Sequence, residues 1–197
     1  MVKIFFDTVF SFTGLIVFSP ILLIIALMSI FFQGFPVLFF HNRLGKDGIP
    51  FKMIKFRTMS NGPSLSAEHD IERLTKWGRL LRKTSLDELP VLINVIKGNM
   101  SLVGPRPLPV KYLPRFNTFQ KKRMNVKPGV TGLAQINGRN ALSWEDRFNY
   151  DIEYLQRQTC LLDLKIIFLT ILFVLNRKDI DGVDQEIMSE FMGSDKK

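Results

Sequence analysis

Apolar residues dominate the chain from Val9 to Phe32, interrupted by Ser11, Thr13, Ser19 and small or proline positions. Coiled as a helix, such a run is long enough to cross ~30 Å of hydrocarbon, so it predicts a membrane helix. A cleaved signal peptide fits less well, because the run is too long and no small-residue cleavage site precedes a polar start. Ser19-Pro20 falls at its centre. Pro20 has no N–H to give and its ring crowds the carbonyl four residues back, so a kink is expected there. A neighbouring hydroxyl such as that of Ser19 can satisfy the freed carbonyl within lipid. Two topologies follow: a kinked spanning helix with Met1 outside, or a helix-break-helix that enters and returns on the cytosolic face. Arg43, Lys46, Lys52, Lys55 and Arg57 follow closely, and the positive-inside rule places that C-terminal side in the cytosol. A second apolar run, Ile166 to Leu175, is far below the ~20 residues that spanning needs, and predicts a helix against the interface or the domain core.

Between these runs the pattern changes. Pro36 to Asn42 and Pro50 to Arg57 are β-leaning segments around Gly45, Lys46, Asp47 and Gly48, which predicts a hairpin. Residues 60 to 70, with Asn61-Gly62-Pro63, read as an exposed loop, and Ile71 to Lys83 as a basic helix. Four prolines between Gly104 and Pro114 predict a shaped loop. Ser143, with Asp146 three residues on, begins a helix whose Trp144, Phe148, Ile152 and Leu155 recur at helical spacing as a buried face. Beyond Asn176 the mixed-charge tail is expected to be loose.

Charge sharpens this division. Residues 1–40 carry only Lys3 and Asp7, which cancel, so the formal net charge of +9 belongs to the remainder. Ten of the 18 phenylalanines also lie in those forty residues. A basic body beside an oily head suits an anionic lipid surface. Nucleic acid is not expected as a partner: zinc-ligand spacing, an aromatic-rich RNA-binding signature and a long Lys/Arg run are all missing. The single cysteine, Cys160, excludes an intramolecular disulfide and is expected to be a small buried apolar residue.

Chemistry concentrates between Lys76 and Pro107. Lys76, Arg79, Arg82 and Lys83 lead into Thr84-Ser85-Leu86-Asp87-Glu88-Leu89-Pro90. Ser85 with Glu88 reads as a capping box, but then Pro90 falls at the fifth helical position. With Asp87 as cap, Pro90 moves to the third position, where nothing is lost. The role of Asp87 stays open between a cap and a reactive group. Adjacent carboxylates beside several cations suggest phosphate chemistry with a hard metal, for which Mg²⁺ takes one or two carboxylates plus phosphates and waters. A carboxylate can also attack phosphorus and divide one transfer into two. Arg106, between Pro105 and Pro107, is suited to bidentate phosphate recognition. Gly129, Gly132 and Gly138 match neither a P-loop nor a dinucleotide fingerprint. His41 and His69 have no partners at metal-ligand spacing.

Several long segments in order carry a specific likeness: Ser19-Pro20, Lys55-Phe56-Arg57-Thr58-Met59, Leu86-Asp87-Glu88-Leu89, Gly98 to Pro107 and Pro128 to Asn140. Over essentially its full length the chain resembles the monotopic bacterial phosphoglycosyl transferases, the sugar transferase family that starts glycan assembly on a polyprenyl phosphate. The resemblance implies that Asp87 is the nucleophile that attacks a UDP-sugar, releases UMP and holds a phosphosugar until undecaprenyl phosphate takes it. It implies that Glu88, together with Asp87, holds Mg²⁺, and that Arg82 and Arg106 bind phosphate. Lys55, Arg57, Gln135 and Arg139 join the substrate-binding set, and Ser19-Pro20 makes a re-entrant break.

The implied fold is α+β and predominantly helical, with a re-entrant anchor over 1–36, a cytosolic membrane-associated catalytic domain over 37–178 and a tail over 179–197. The implied location is the cytoplasmic face of a bacterial inner membrane, among membrane lipids, with downstream glycosyltransferases as further partners. The chain looks like the family's minimal catalytic unit, and the implied donor is UDP-N,N′-diacetylbacillosamine, for protein glycosylation. Alternatives are another UDP-sugar, for capsule, O-antigen or exopolysaccharide, and a non-catalytic module that gathers anionic lipids. Pro90-Val91 departs from the residues that often follow the acidic pair in this family.

Overall fold

The structure, a computed structural model, describes residues 2–62, 72–138, 141–176 and 190–193. The described chain is predominantly helical, with two small two-stranded sheets.

Helix α1 (Val2–Gln33) is a single helical element that runs through Pro20, so no interruption divides it at Ser19-Pro20. The reason is local. Pro20 abandons the carbonyl of Ile16, and the Ser19 hydroxyl donates to that oxygen at 2.7 Å. The polarity of α1 is inverted relative to a soluble helix. Its buried residues are Asp7, Ser11, Ile25 and Ser29, while Phe5, Phe12, Val17, Leu23 and Phe31 are exposed. Polar side chains that face protein and apolar ones that face outward are the pattern lipid selects.

Both ends of α1 are tied to the rest of the protein. Near the N-terminus Lys3 pairs with Asp163 at 2.6 Å, and Asp7 accepts from the Ser101 hydroxyl at 2.7 Å and the Leu102 N–H at 3.2 Å. Near the C-terminus Ser29 accepts from the Trp77 indole at 2.9 Å, and the Gln33 amide donates to Thr75 at 2.7 Å.

The expected hairpin forms from β1 (Leu38–Leu44) and β2 (Pro50–Phe56), paired antiparallel with His41 opposite Met53 and Phe39 opposite Lys55. The basic helix is shorter than expected: α2 covers Lys76–Lys83, with Thr75 capping it through a bond from the Gly78 N–H. Leu74 pairs with Met59 as an isolated antiparallel bridge, so the chain is extended just before the Thr75 cap. Gly78 is forced by packing, because a Cβ there would lie 1.8 Å from the Thr58 carbonyl.

After α3 (Leu92–Ile96) comes a pairing that periodicity did not signal. Strands β3 (Ser101–Val103) and β4 (Gly129–Thr131) run parallel, with Ser101 opposite Gly129 and Val103 opposite Thr131. Three residues are too few for an alternation to register. The glycines make the approach possible: a Cβ on Gly129 would sit 2.0 Å from the Gly104 nitrogen, and one on Gly132 2.2 Å from the Gly104 carbonyl. These glycines therefore serve packing of one motif on another.

Helices α4 (Thr118–Lys121), α5 (Leu133–Ile136), α6 (Trp144–Arg157) and α7 (Cys160–Asn176) complete the chain. Ser143 caps α6 as expected, accepting from the Asp146 N–H at 3.1 Å. Phe148 and Ile152 are buried, and Trp144 and Leu155 half-buried. Helix α7 is two-faced, as its flanks suggested: Ile166 is fully buried while Leu161, Leu164 and Phe168 are exposed. Cys160 is exposed at the start of α7, which corrects the expectation of burial. The expectation of a loose tail also does not extend to residues 190–193, where Phe191 is buried in an aromatic cluster.

Candidate active site

Helix α2 closes at Thr84, and Ser85 then takes a left-handed conformation with φ 56° and ψ 16°. Non-glycine residues rarely adopt it, and such strain persists only where the surroundings impose it. The turn delivers the chain into a 3-10 helix, Leu86–Val91, which carries both carboxylates. Neither capping register forms. Ser85 makes no capping bond, and Asp87 lies within the first turn. Asp87 is thus released from a cap's duty.

Asp87 is 7% exposed, and no hydrogen bond or ion pair engages its carboxylate among the described residues. Glu88 is the opposite. Its Oε1 accepts from Lys55 Nζ at 2.5 Å and from Arg106 Nη2 at 2.9 Å. Electrostatics follow from this difference. Burial raises the Asp87 carboxyl to about 6, against the attraction of Lys55, with Glu88 adding to the rise and Arg82 and Arg106 opposing it. Burial acts on Glu88 in the same sense, but Arg106 and Lys55 outweigh it and hold that carboxyl well below the usual range. Two adjacent acids whose environments push them apart suit two roles.

The site is assembled from four places in the chain. Lys55 comes from β2, which packs on the 3-10 helix. Arg82 comes from α2 and donates from Nε to the Thr58 hydroxyl at 3.1 Å. Arg106 comes from the proline-rich loop, whose backbone is held by a bond from Arg123 to the Arg106 carbonyl at 2.7 Å. Arg123 is itself buried in an ion pair with Asp151 at 2.7 Å.

His41 and Arg43 also reach this wall, and sequence reasoning assigned neither. Cross-strand register places them on the hairpin face that carries Lys55. Arg43 Nε donates to His41 Nε2 at 3.3 Å. Burial and the neighbouring Arg43 depress the His41 imidazole to about 3, so it is neutral and can accept. Period-two counting back from Lys55 across the predicted turn was the signal that could have found both. Four basic side chains, Arg43, Lys55, Arg82 and Arg106, thus gather around two carboxylates. That excess suits phosphate oxygens.

Other expected site residues lie elsewhere. Arg57 is buried, and its guanidinium donates to the Gln33 and Gly34 carbonyls and to Asn61 at 2.6 Å. Its Nη2 is taken up by the end of α1, whose last carbonyls have no intrahelical partner. Gln135, in α5, has its amide oxygen beside Gly132, and both amide atoms are buried and unpaired among the described residues. Ser19 and Pro20 are on α1, and Arg139 falls outside the described residues.

Among the described residues no cluster of three or more His, Cys, Asp or Glu could hold a metal unaided. Asp87 and Glu88 offer two hard carboxylates, and Glu88 spends only Oε1 on its cations. Such a donor set fits Mg²⁺ completed by phosphate oxygens and water.

The chain's residues 1–177 match the family described as Bacterial sugar transferase. It is 49% identical over 163 residues to the uncharacterized sugar transferase EpsL of Bacillus subtilis, covering 82% of this chain and 81% of that protein. It is 43% identical over 177 residues to the UDP-glucose:undecaprenyl-phosphate glucose-1-phosphate transferase of Klebsiella pneumoniae, and 39% over 191 residues to the undecaprenyl-phosphate galactose phosphotransferase of Salmonella typhimurium. The alignments take in 84% and 87% of this chain but 38% and 40% of those longer proteins. An acid pair set among cations suits such chemistry, and the chain belongs to the bacterial sugar transferase family as a phosphoglycosyl transferase.

Proposed function

We propose that this protein transfers a phosphosugar from a UDP-sugar to undecaprenyl phosphate and releases UMP, through a covalent intermediate on Asp87. The observation that carries this reading is the contrast within the acid pair: Glu88 is bound by Lys55 and Arg106, while Asp87 is buried without a hydrogen bond. A largely desolvated carboxylate without donors is a stronger nucleophile than one stabilised by them. A carboxylate oxygen of Asp87 attacks the sugar-bearing phosphorus, and the bond from that phosphorus to the bridging oxygen breaks. UMP leaves with the electron pair. An oxygen of the lipid phosphate then attacks the same phosphorus, the acyl phosphate bond breaks, and Asp87 regains its carboxylate. Arg106, Arg82 and Lys55 hold phosphate oxygens throughout. Mg²⁺ held by Glu88 and Asp87 would supply charge neutralisation at the diphosphate.

The relatives named for their substrates use glucose and galactose, and others are named for exopolysaccharide production. These names favour polysaccharide initiation with a UDP-hexose over the UDP-N,N′-diacetylbacillosamine expected from sequence. A panel of UDP-sugars assayed for UMP release, with Mg²⁺ and after chelation, ranks the donors and tests the metal. Incubation with a phosphate-labelled donor and no acceptor should leave label on the protein and none on Asp87→Asn. Label-free protein that still makes lipid product would replace this mechanism with a one-step transfer.

The anchor is read as monotopic. A straight helix of 32 residues is about 48 Å long at ~1.5 Å per residue. Yet Lys3 and Asp7 bond the same domain that Ser29 and Gln33 bond. This supports an anchor whose two ends stay on the cytosolic side, which keeps the carboxylates at the height of a lipid phosphate.

A further inference from the structure

Among the described residues of the tail, 190–193 lie against the body of the protein. Phe191 is 2% exposed, with its ring centroid 5.2 Å from Trp144 and Phe148 and 5.8 Å from Tyr112 and Phe116. The residue before it grips the rim. Glu190 accepts from Lys111 at 2.7 Å and from Arg115 at 2.8 Å, and Arg115 also donates to the Phe191 carbonyl at 2.5 Å. Tyr112, Lys111 and Arg115 all belong to the 3-10 turn Val110–Arg115, which continues directly from the loop that carries Arg106.

The same aromatic cluster reaches the site by two further routes. Leu108, two residues from Arg106, is packed within it, and the Leu108 carbonyl accepts from the Leu44 N–H at 2.9 Å. Phe148 carries the Arg123 guanidinium 5.7 Å from its ring, and Arg123 holds the Arg106 carbonyl. Proline fixes the shape of the loop, since each ring sets one φ, but it removes N–H donors that could fasten the loop to a scaffold. On its N-terminal side the loop is fastened by the Gly129 N–H, which donates to the Pro105 carbonyl at 3.0 Å, and on its C-terminal side by this cluster. Arg106 lies between the two, half-exposed and paired with Glu88.

We propose that Glu190 and Phe191 are positioning residues of the active site: docking of the C-terminal segment against Val110–Arg115 holds the Arg106 loop in its phosphate-binding place. A plug that merely fills a hole would stabilise the whole domain equally. A positioning segment acts through one residue, which makes the two separable by a double-mutant cycle.

The inference uses the phosphoglycosyl transferase reading only for its activity measurement. The full chain in lipid nanodiscs would be assayed for UMP release as Phe191→Ala, Phe191→Leu, Glu190→Gln and Lys121→Ala. Phe191→Ala should lower kcat/KM about tenfold, chiefly by raising KM for the UDP-sugar, because displacement of a phosphate clamp weakens binding and orientation. Phe191→Leu should recover most of the loss, and Lys121→Ala, at an exposed position outside the cluster, should match wild type. In an Arg106→Ala background the Phe191→Ala change should cost less than about twofold more, since its route has already been removed. Amide hydrogen exchange should quicken over 106–116 in Phe191→Ala and stay unchanged over 86–96.

Wild-type activity and exchange in Phe191→Ala, or losses that multiply in full with Arg106→Ala, would overturn the inference. Should Phe191→Ala fail to fold, Glu190→Gln, which alters only the rim, carries the same cycle. If the wild-type protein releases no UMP from any UDP-sugar, the functional reading fails, and the exchange comparison still decides the inference.

Discussion

At the scale of single residues, Asp87 and Glu88 divide the work because one is surrounded by donors and the other is not. In the proposed mechanism the reactive form of Asp87 is the carboxylate, and burial raises its folded pKa from 3.8 to about 6. The reactive fraction is therefore full well above pH 6 and falls as pH drops through it. The kcat/KM for UMP release at pH 5 should be about a tenth of its plateau, measured with a donor whose own ionisation is constant in that range. A profile flat down to pH 4.5 would remove Asp87 as the titrating nucleophile.

A raised folded pKa in an acid also destabilises the protein above the unfolded pKa, because the charged form is better solvated when unfolded. Asp87→Asn should then raise Tm by a few degrees at pH 8 while lowering UMP release by about 10³-fold or more. Arg106→Ala should reduce kcat/KM roughly 10²-fold through a lost phosphate contact. It should also lower Glu88's share of stability, which calorimetry at neutral pH can register.

At the scale of elements, the site depends on β2 and the 3-10 helix being held at fixed separation. Asn94, on α3, does this. It is 1% exposed, donates to the Lys52 carbonyl at 2.8 Å and accepts from the Ile54 N–H at 3.0 Å, so it ties the helix after Glu88 to the strand before Lys55. Asn94→Leu would leave a buried donor and a buried acceptor unpaired, a loss of about 2–4 kcal/mol of stability. Activity should fall with it, and chemical denaturation compared with UMP release measures both. A second tie between elements is the parallel pair β3 and β4, which joins the Gly98 to Pro107 motif to the Pro128 to Asn140 motif. That contact explains Gly129 and Gly132, which matched no nucleotide-binding fingerprint.

At the scale of the whole molecule, α1 serves as membrane anchor and as part of the domain. Its outward residues are apolar and its inward ones include Asp7, Ser11 and Ser29, so lipid and protein each meet the surface they favour. With Val2→Cys in a Cys160→Ser background, an impermeant thiol reagent should fail to label intact cells and should label them once permeabilised. Labelling from outside would place Lys3 across the membrane from Gln33, and the bonds from Lys3 and Asp7 to the domain could not then exist.

Sequence determined by itself whatever rests on composition and local geometry. The apolar run marked α1, turn residues marked the hairpin, Ser143 marked the start of α6, and the acid pair among cations marked the chemistry, because these signals are written in contiguous residues. Tertiary structure decided the rest. It gave Arg57 to the end of α1, brought His41 and Arg43 to the wall beside Glu88, freed Asp87 from capping, and buried Phe191 of a mixed-charge tail. Each of these depends on where a distant segment lands. A carbonyl in need of a donor, a cross-strand register and an aromatic pocket exist only once the chain has closed on itself, so no single stretch of sequence could carry them.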